Sequence, residues 1–192
     1  SDDTCCFVYL LPKDEHHLLV EWTAFRAKRK NDDTEEQLRR WLADAGLVNY
    51  EILRRESAIL PMIPISPDRP HGRVINAGVG GGWMRPATGY HFMSCQRGSR
   101  LLAQQILAAS RTNQWQLQSP TVRSLWLQWM DRVFLRALQQ HPDQAPNWFL
   151  RVFNGTSGCQ MSRFMNDEPR PGDALAVARS LPPGPFLKAA VK

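Results

Sequence analysis

Four glycines within five residues, Gly78 and Gly80 to Gly82, constrain this chain more than any other feature. Without a Cβ the backbone takes positive φ freely and can lie close to a flat or anionic group. Ahead of them, Arg73–Val79 reads as a short strand. Behind them, Trp83-Met84-Arg85-Pro86-Ala87-Thr88-Gly89-Tyr90 opens a long helix expected over Thr88–Ala109. A helix N-terminus at that point offers free N–H groups and the positive end of a dipole. An ordinary strand-to-helix turn has the same pattern, so the glycines alone leave both readings open.

A chain of 192 residues can bury one core or two small ones. Hydrophobic residues make up 43% and mean hydropathy is −0.41, which together describe a globular protein. No run approaches the 18 apolar residues of a membrane-spanning helix. Ser1-Asp2-Asp3-Thr4 lacks the basic and apolar regions of a signal peptide. A start without methionine, directly before a strand-like run, reads as a piece of a longer chain. Cys5, Cys6, Cys95 and Cys159 have no C-x-x-C spacing and no histidine partner, so neither a metal site nor a disulfide framework is expected. A reducing cytosolic compartment fits them. The net charge of +6 comes from dispersed arginines without a nucleic-acid module. An anionic membrane surface suits such a charge.

Cys5–Leu11 (CCFVYLL) reads as a buried strand and Leu18–Phe25 (LLVEWTAF) as its return, across a polar turn at Lys13–His17. Alternation puts Leu19, Glu21, Thr23 and Phe25 on one face. Glu21 is the single carboxylate among apolar neighbours there. It either meets water or sits in an apolar cavity, where desolvation favours the protonated acid. Thr34-Glu35-Glu36-Gln37 matches a capping box, with Leu38, Trp41, Leu42 and Ala45 as a helical stripe and Gly46 as the stop. Tyr50–Met62 (YEILRRESAILPM) reads as a third strand.

Beyond the glycines, Pro120 is expected at the first position of a helix over Thr121–Gln140. Leu125, Trp126, Trp129, Met130, Val133, Phe134 and Leu138 form its apolar stripe. Short helices follow at Pro146–Phe153, Gln160–Met165, Pro171–Ser180 and Phe186–Val191. Bundle packing explains their alternation of Trp, Phe and Leu with Arg and Lys, and so does an apolar channel or a bilayer surface.

Read in order, FVYLLP, LLVEWTAF, YEILRRESAILPM, INAGVGGGWMRPATGYHF and RFMNDEPRPGDALAVARSLPPGPFLKAA resemble the C-terminal part of flavin-dependent lycopene cyclases of bacterial type. The resemblance covers nearly the whole chain. It implies an α+β fragment of an FAD-dependent, glutathione-reductase-type (hydroxylase-like) fold. Antiparallel strands and a helical C-terminal part are present, and the N-terminal Rossmann portion is missing. The G-x-G-x-x-G that seats the FAD diphosphate has no counterpart here. On this reading residues 1–72 belong to the substrate domain, 73–110 form a flavin-facing strand–turn–helix, and 111–192 form a helical cap.

The family's essential acid lies in a motif of apolar residues, Glu, a second acid and Thr, which reads here Val20-Glu21-Trp22-Thr23. The resemblance therefore implies Glu21 as the catalytic acid, with Trp22 standing where the second acid would be. It implies Gly80, Gly81, Gly82, Thr88 and Gly89 as cofactor neighbours, and no metal. Arg85 either meets the flavin's pyrimidine edge or forms an ion pair. Trp22, Trp83 and Tyr90 either flank a substrate cation or pack in the core. His16, His17 and His91 read as surface or internally satisfied groups. The implied activity is proton-initiated, non-redox cyclisation of lycopene end groups to rings of β-carotene type, with reduced FAD and NAD(P)H as the indirect electron source. The implied partners are a linear carotenoid, a peripheral membrane surface on the cytoplasmic side of the inner membrane, and the FAD-binding half of the same protein, with no nucleic acid. Two alternatives remain: a flavin-dependent reductase or hydroxylase of isoprenoid lipids, and an inactive fragment that binds apolar ligands or membranes.

Overall fold

A two-stranded antiparallel ribbon opens the fold in the computed structural model, which describes residues 4–26, 34–65 and 74–191. Strand β1 (Thr4–Pro12) pairs with β2 (Leu18–Arg26), setting Phe7 opposite Thr23, Val8 opposite Trp22 and Tyr9 opposite Glu21. The turn closes through Lys13 N–H to the His17 carbonyl at 2.8 Å. The Asp14 carboxylate reinforces it by accepting from the His16 and His17 amides, both at 2.9 Å, an Asx-type turn. The expected pair of strands is present, but β1 is not buried along its length. Cys5 is buried, whereas Tyr9, Leu10 and Leu11 are exposed.

Helix α1 (Thr34–Asp44) packs on β2, with Leu42 buried and Leu38 and Trp41 half-buried on its apolar stripe. It ends as the sequence indicates. Gly46 takes φ +76°, and Leu47 N–H reaches the Leu42 carbonyl at 2.9 Å, a Schellman closure. The capping box does not form as expected: Gln37 Oε1 is buried without a hydrogen-bond partner among the described residues. The third strand at Tyr50–Met62 does not form either, and the segment carries no regular structure. Leu53 and Ile59 are exposed along it, and no further strand among the described residues offers a ladder. The ribbon, α1 and the following segment up to Ile59 belong to one compact unit, Ser1–Ile59 with His141–Pro146, where a 3-10 turn (Pro142–Gln144) packs on β1.

The second unit comprises Leu60–Gln140 with Asn147–Lys192. The strand expected at Arg73–Val79 is absent from its described part: Val74 makes an isolated bridge and 78–82 form turns, while Arg73 lies outside the described residues. Helix α2 spans Phe92–Thr112, four residues later than expected at its start, because residues 85–90 close a turn of their own. Helix α3 is Leu125–Gln140, so Pro120 precedes it rather than opening it. Its buried face carries Leu127, Asp131, Val133, Ala137 and Leu138. Leu125, Trp126 and Trp129 of the expected stripe instead face outward.

Helices α4 (Ala145–Asn154), α5 (Gly158–Met165), α6 (Pro171–Ser180) and α7 (Pro183–Val191) follow the expected positions closely. Leu127, Phe164, Ala174 and Val177 form a buried cluster, flanked by Met130 and Val152. A second apolar group joins Phe134 to Phe149 and Phe186 at ring separations of 5.6 and 6.0 Å, with Trp148 at 4.8 Å from Phe186.

Candidate functional site

The candidate residues fall in both units: Glu21 in the first, the glycine corner in the second. Glu21 is exposed on β2. Its flanks on that ribbon face are Tyr9 directly across, Leu19 and Thr23 along the strand, and Leu11 diagonally. The Thr23 hydroxyl donates to Glu21 Oε1 at 2.9 Å. Burial and the Glu21 charge together hold the Tyr9 phenol above its ordinary range, so Tyr9 stays a protonated neighbour. Trp22 faces the opposite side of the ribbon, and its buried Nε1–H has no partner among the described residues. Burial, and secondarily Cys6, pushes the Cys5 thiol up as well, which keeps it protonated and unreactive.

Around the corner, most amides are already engaged. Gly81 N–H donates to the Ala77 carbonyl at 3.2 Å, Gly82 to Val79 at 3.0 Å and Trp83 to Gly78 at 3.0 Å. Arg85 N–H reaches the Tyr90 carbonyl at 2.9 Å, and the Arg85 carbonyl accepts from Thr88 and Gly89 at 3.2 and 2.8 Å. Thr88 Oγ1 in turn accepts from Tyr90 N–H at 3.2 Å. The five expected cofactor neighbours thus lie in one segment but do different work. Gly82 and Gly89 hold φ of +72° and +73°, where glycine is favoured for backbone reasons alone. A Cβ on Gly81 would stand 2.8 Å from the Asn76 carbonyl and 3.0 Å from Ser119 Oγ, so the chain's own packing demands glycine there. Gly80 is different: it is exposed, and a Cβ there would meet nothing nearer than 3.8 Å. Among the five residues, Gly80 alone has an open backbone face without an internal reason for it.

That geometry can be tested against the flavin that the resemblance implies. The open side of Gly80 fits contact with a flat ring. The Gly81, Gly82 and Trp83 amides are taken up within the corner and are not offered to a diphosphate, and the cavity beneath it, lined by Gly82, Met84, Pro86 and Arg123 among others, holds only about 10 Å³. The residues therefore fit one edge of a flavin, not a whole dinucleotide.

Arg85 does not face outward. It is 1% exposed, and its Nε donates to Asp131 Oδ1 on α3 at 3.1 Å. Its Nη1 donates to the Phe164 carbonyl, and the guanidinium lies 4.1 Å over the Phe164 ring. Arg123 joins in, with Nη2 at 2.6 Å from Asp131 Oδ2 and Nε at 2.7 Å from Asp167 Oδ2. Burial works against the Arg123 charge, but the hydrogen bond it donates to Asp167 and the charges of both carboxylates outweigh it and leave its pKa raised. Asp167, at φ +59°, also accepts from Ser94 in the first turn of α2 at 3.2 Å. Of the two readings open for Arg85, the structure gives the ion pair. Trp83 is likewise a packing residue: its ring lies against Gly98, and its Nε1–H donates to the Pro120 carbonyl at 3.1 Å.

Sequence reasoning missed Arg123, Asp131 and Asp167. The one available signal was Asp131 four residues after Leu127, a carboxylate in phase with a buried apolar position on α3. Two of the histidine rings are internally occupied: His17 Nδ1 pairs with Asp14 at 2.7 Å, and His91 Nδ1 lies 2.8 Å from the Gly89 carbonyl, while His16 is exposed. No group of three or more His, Cys, Asp or Glu among the described residues could hold a metal ion. None of the described helices is long and apolar enough to cross a membrane.

The chain is thus an α+β protein with a ribbon carrying one carboxylate among apolar side chains and a glycine corner anchored by buried charge. The family model described as lycopene cyclase protein matches residues 2–191, and the chain belongs to that family. Family membership ties it broadly to carotenoid cyclisation. No curated protein and no solved structure matches the chain.

Proposed function

We propose that this chain carries the acid and one flavin-facing edge of an isomerase that closes the linear end groups of lycopene to rings of β-carotene type. The family match across residues 2–191, which includes Val20-Glu21-Trp22-Thr23, is the observation that carries this reading. Glu21 is the general acid. Apolar substrate laid over Tyr9, Leu11 and Leu19 would strip water from Glu21, and desolvation favours its protonated form. The protonated carboxyl gives its proton to the terminal double bond, and the substrate's next double bond attacks the resulting cation. The ring cation then loses one proton to the carboxylate left on Glu21, which restores neutrality and the acid without net redox change. Excluding water is essential, since water would capture the cation.

Reduced FAD, with NAD(P)H as its indirect electron source, would supply an electron-rich face that favours the cationic state. Gly80 would lie against its flat ring, with Gly81, Gly82, Thr88 and Gly89 shaping the corner that holds Gly80 in place. The diphosphate would be held by the FAD-binding half of the same protein, because the Gly81, Gly82 and Trp83 amides of this corner are already engaged.

Work at the cytoplasmic face of the inner membrane, where an apolar carotenoid resides, is supported by the distribution of charge. Leu60–Gln140 with Asn147–Lys192 carry fifteen Lys and Arg against five Asp and Glu. Ser1–Ile59 with His141–Pro146 carry nine against thirteen. Among the described residues of the second unit, each carboxylate is already engaged by an arginine. Exposed Arg100, Arg111, Arg132 and Lys188 lie in that unit together with exposed Trp129 and Leu187, a mixture suited to an anionic interface.

The test is cyclisation by the complete flavoprotein in D₂O with the flavin reduced. The reading expects a product isomeric with lycopene that carries one deuterium for each ring formed. A product differing by two hydrogens or by an oxygen would replace it with the reductase or hydroxylase reading.

A further inference from the structure

Four buried charges occupy the space behind the glycine corner, although a buried ion pair can often be replaced by packed apolar side chains with no loss of stability. Their arrangement gives them a geometric task. Arg85, three residues beyond Gly82, is held from three sides: by Asp131 of α3, by the Phe164 carbonyl of α5, and by the Phe164 ring. Its backbone closes the turn through Tyr90, Thr88 and Gly89. Ser94, in the first turn of α2, is tied to Asp167. Arg123 then links Asp131 and Asp167 with both ends of its fork, at 2.6 and 2.7 Å. Both flanks of the corner, Arg85 and Ser94, therefore end on one lattice whose other members come from the loop ahead of α3, from α3 itself and from the α5–α6 turn.

We infer that Arg85, Arg123, Asp131 and Asp167 are positioning residues that set where Gly80 and the start of α2 stand, and through them the rate of cyclisation. The catalytic part rests on the proposed flavin contact at Gly80; the positioning of the corner does not. An arginine fork is suited to the task because it binds two carboxylates in a fixed plane, which lysine cannot do. Small displacements of a cofactor-facing segment are costly in rate, and a shift of about 1 Å can lower turnover roughly 100-fold.

The experiment uses the complete flavoprotein with Arg85→Met and Asp131→Leu made together, which leaves Arg123 paired with Asp167 and removes no charge singly. Amide hydrogen exchange across 81–90, the melting temperature, and kcat and KM are measured. The expected result is a melting temperature near that of the wild type, with the corner amides exchanging at least about tenfold faster. Turnover should fall by roughly 10- to 100-fold with KM little changed. Unchanged exchange at 81–90 in a folded variant overturns the positioning role. Faster exchange with unchanged kcat overturns its link to catalysis. If the wild type cyclises nothing while exchange responds as stated, the cyclase reading fails and the positioning of the corner stands. Should the double variant not fold, Arg123→Lys keeps the buried charge but cannot span both carboxylates, and the same outcomes apply to it.

Discussion

At the scale of single residues, identical side chains answer to different constraints. Gly80 and Gly81 are neighbours of the same type, yet a methyl group would meet open space at the first and the Asn76 carbonyl at 2.8 Å at the second. Gly81→Ala should therefore destabilise the fold by about 1–3 kcal/mol, the usual cost of overpacking, read by thermal or denaturant melting. Gly80→Ala should leave the melt unchanged and weaken flavin retention in the complete flavoprotein. Equal effects of the two on stability would remove the distinction. Glu21 illustrates a second limit at this scale. The sequence placed it on a ribbon face among apolar residues, and the register puts it there, opposite Tyr9. Whether such a carboxylate meets water or an apolar cavity depends on what covers the face, and a strand pattern carries no information about its cover. In the structure that face is open at Glu21.

At the scale of elements, the legible features are those with local causes. Gly46 ends α1 because glycine alone takes φ +76° without strain, and Pro171 opens α6 because its missing N–H is not needed there. The third strand was not legible, because a strand exists only if a partner ladder does, and Tyr50–Met62 finds none among the described residues. Phase was the difficulty on α3. Apolar side chains stand on both sides of that helix, so periodicity could not separate Trp126 and Trp129, which face outward, from Leu127 and Val133, which face the core.

The junction of α5 and α6 gives an element-scale prediction. Asp173 accepts both forks of Arg163 at 2.8 Å and the Arg170 amide at 2.9 Å, and it is 3% exposed. The Arg163 hydrogen bond, ahead of that amide and the neighbouring charges, lowers the Asp173 carboxyl from 3.8 to about 2. A depressed folded-state value means the contribution is fully present above the ordinary value and disappears as the pH falls through about 2. Melting temperatures of the wild type and Asp173→Asn should thus differ most near neutral pH and converge between pH 4 and 2. A constant difference across that range would contradict the Arg163 pairing.

At the scale of the whole molecule, charge is divided between the two units rather than spread along the chain. The overall value of +6 conceals this, since the excess of cations lies wholly in the second unit. Binding to vesicles with about a third anionic lipid should exceed binding to neutral vesicles and fall with added salt over the ordinary Debye range. Replacing Arg132 and Lys188 together by glutamate should weaken it, by about 1 kcal/mol for each cation lost. Sedimentation that ignores lipid charge would contradict a cationic docking face.

The central claim is that Glu21 delivers the proton that starts ring closure. Its most direct test is the pigment profile of a lycopene-accumulating bacterial host that expresses the chain joined to its flavin-binding half, beside the same protein with Glu21→Gln. The account predicts ring-bearing carotene from the first and unchanged lycopene from the second, at equal levels of folded, flavin-bound protein. Equal cyclisation by both would remove Glu21 as the acid, and lycopene left unchanged by both would contradict the cyclase reading itself.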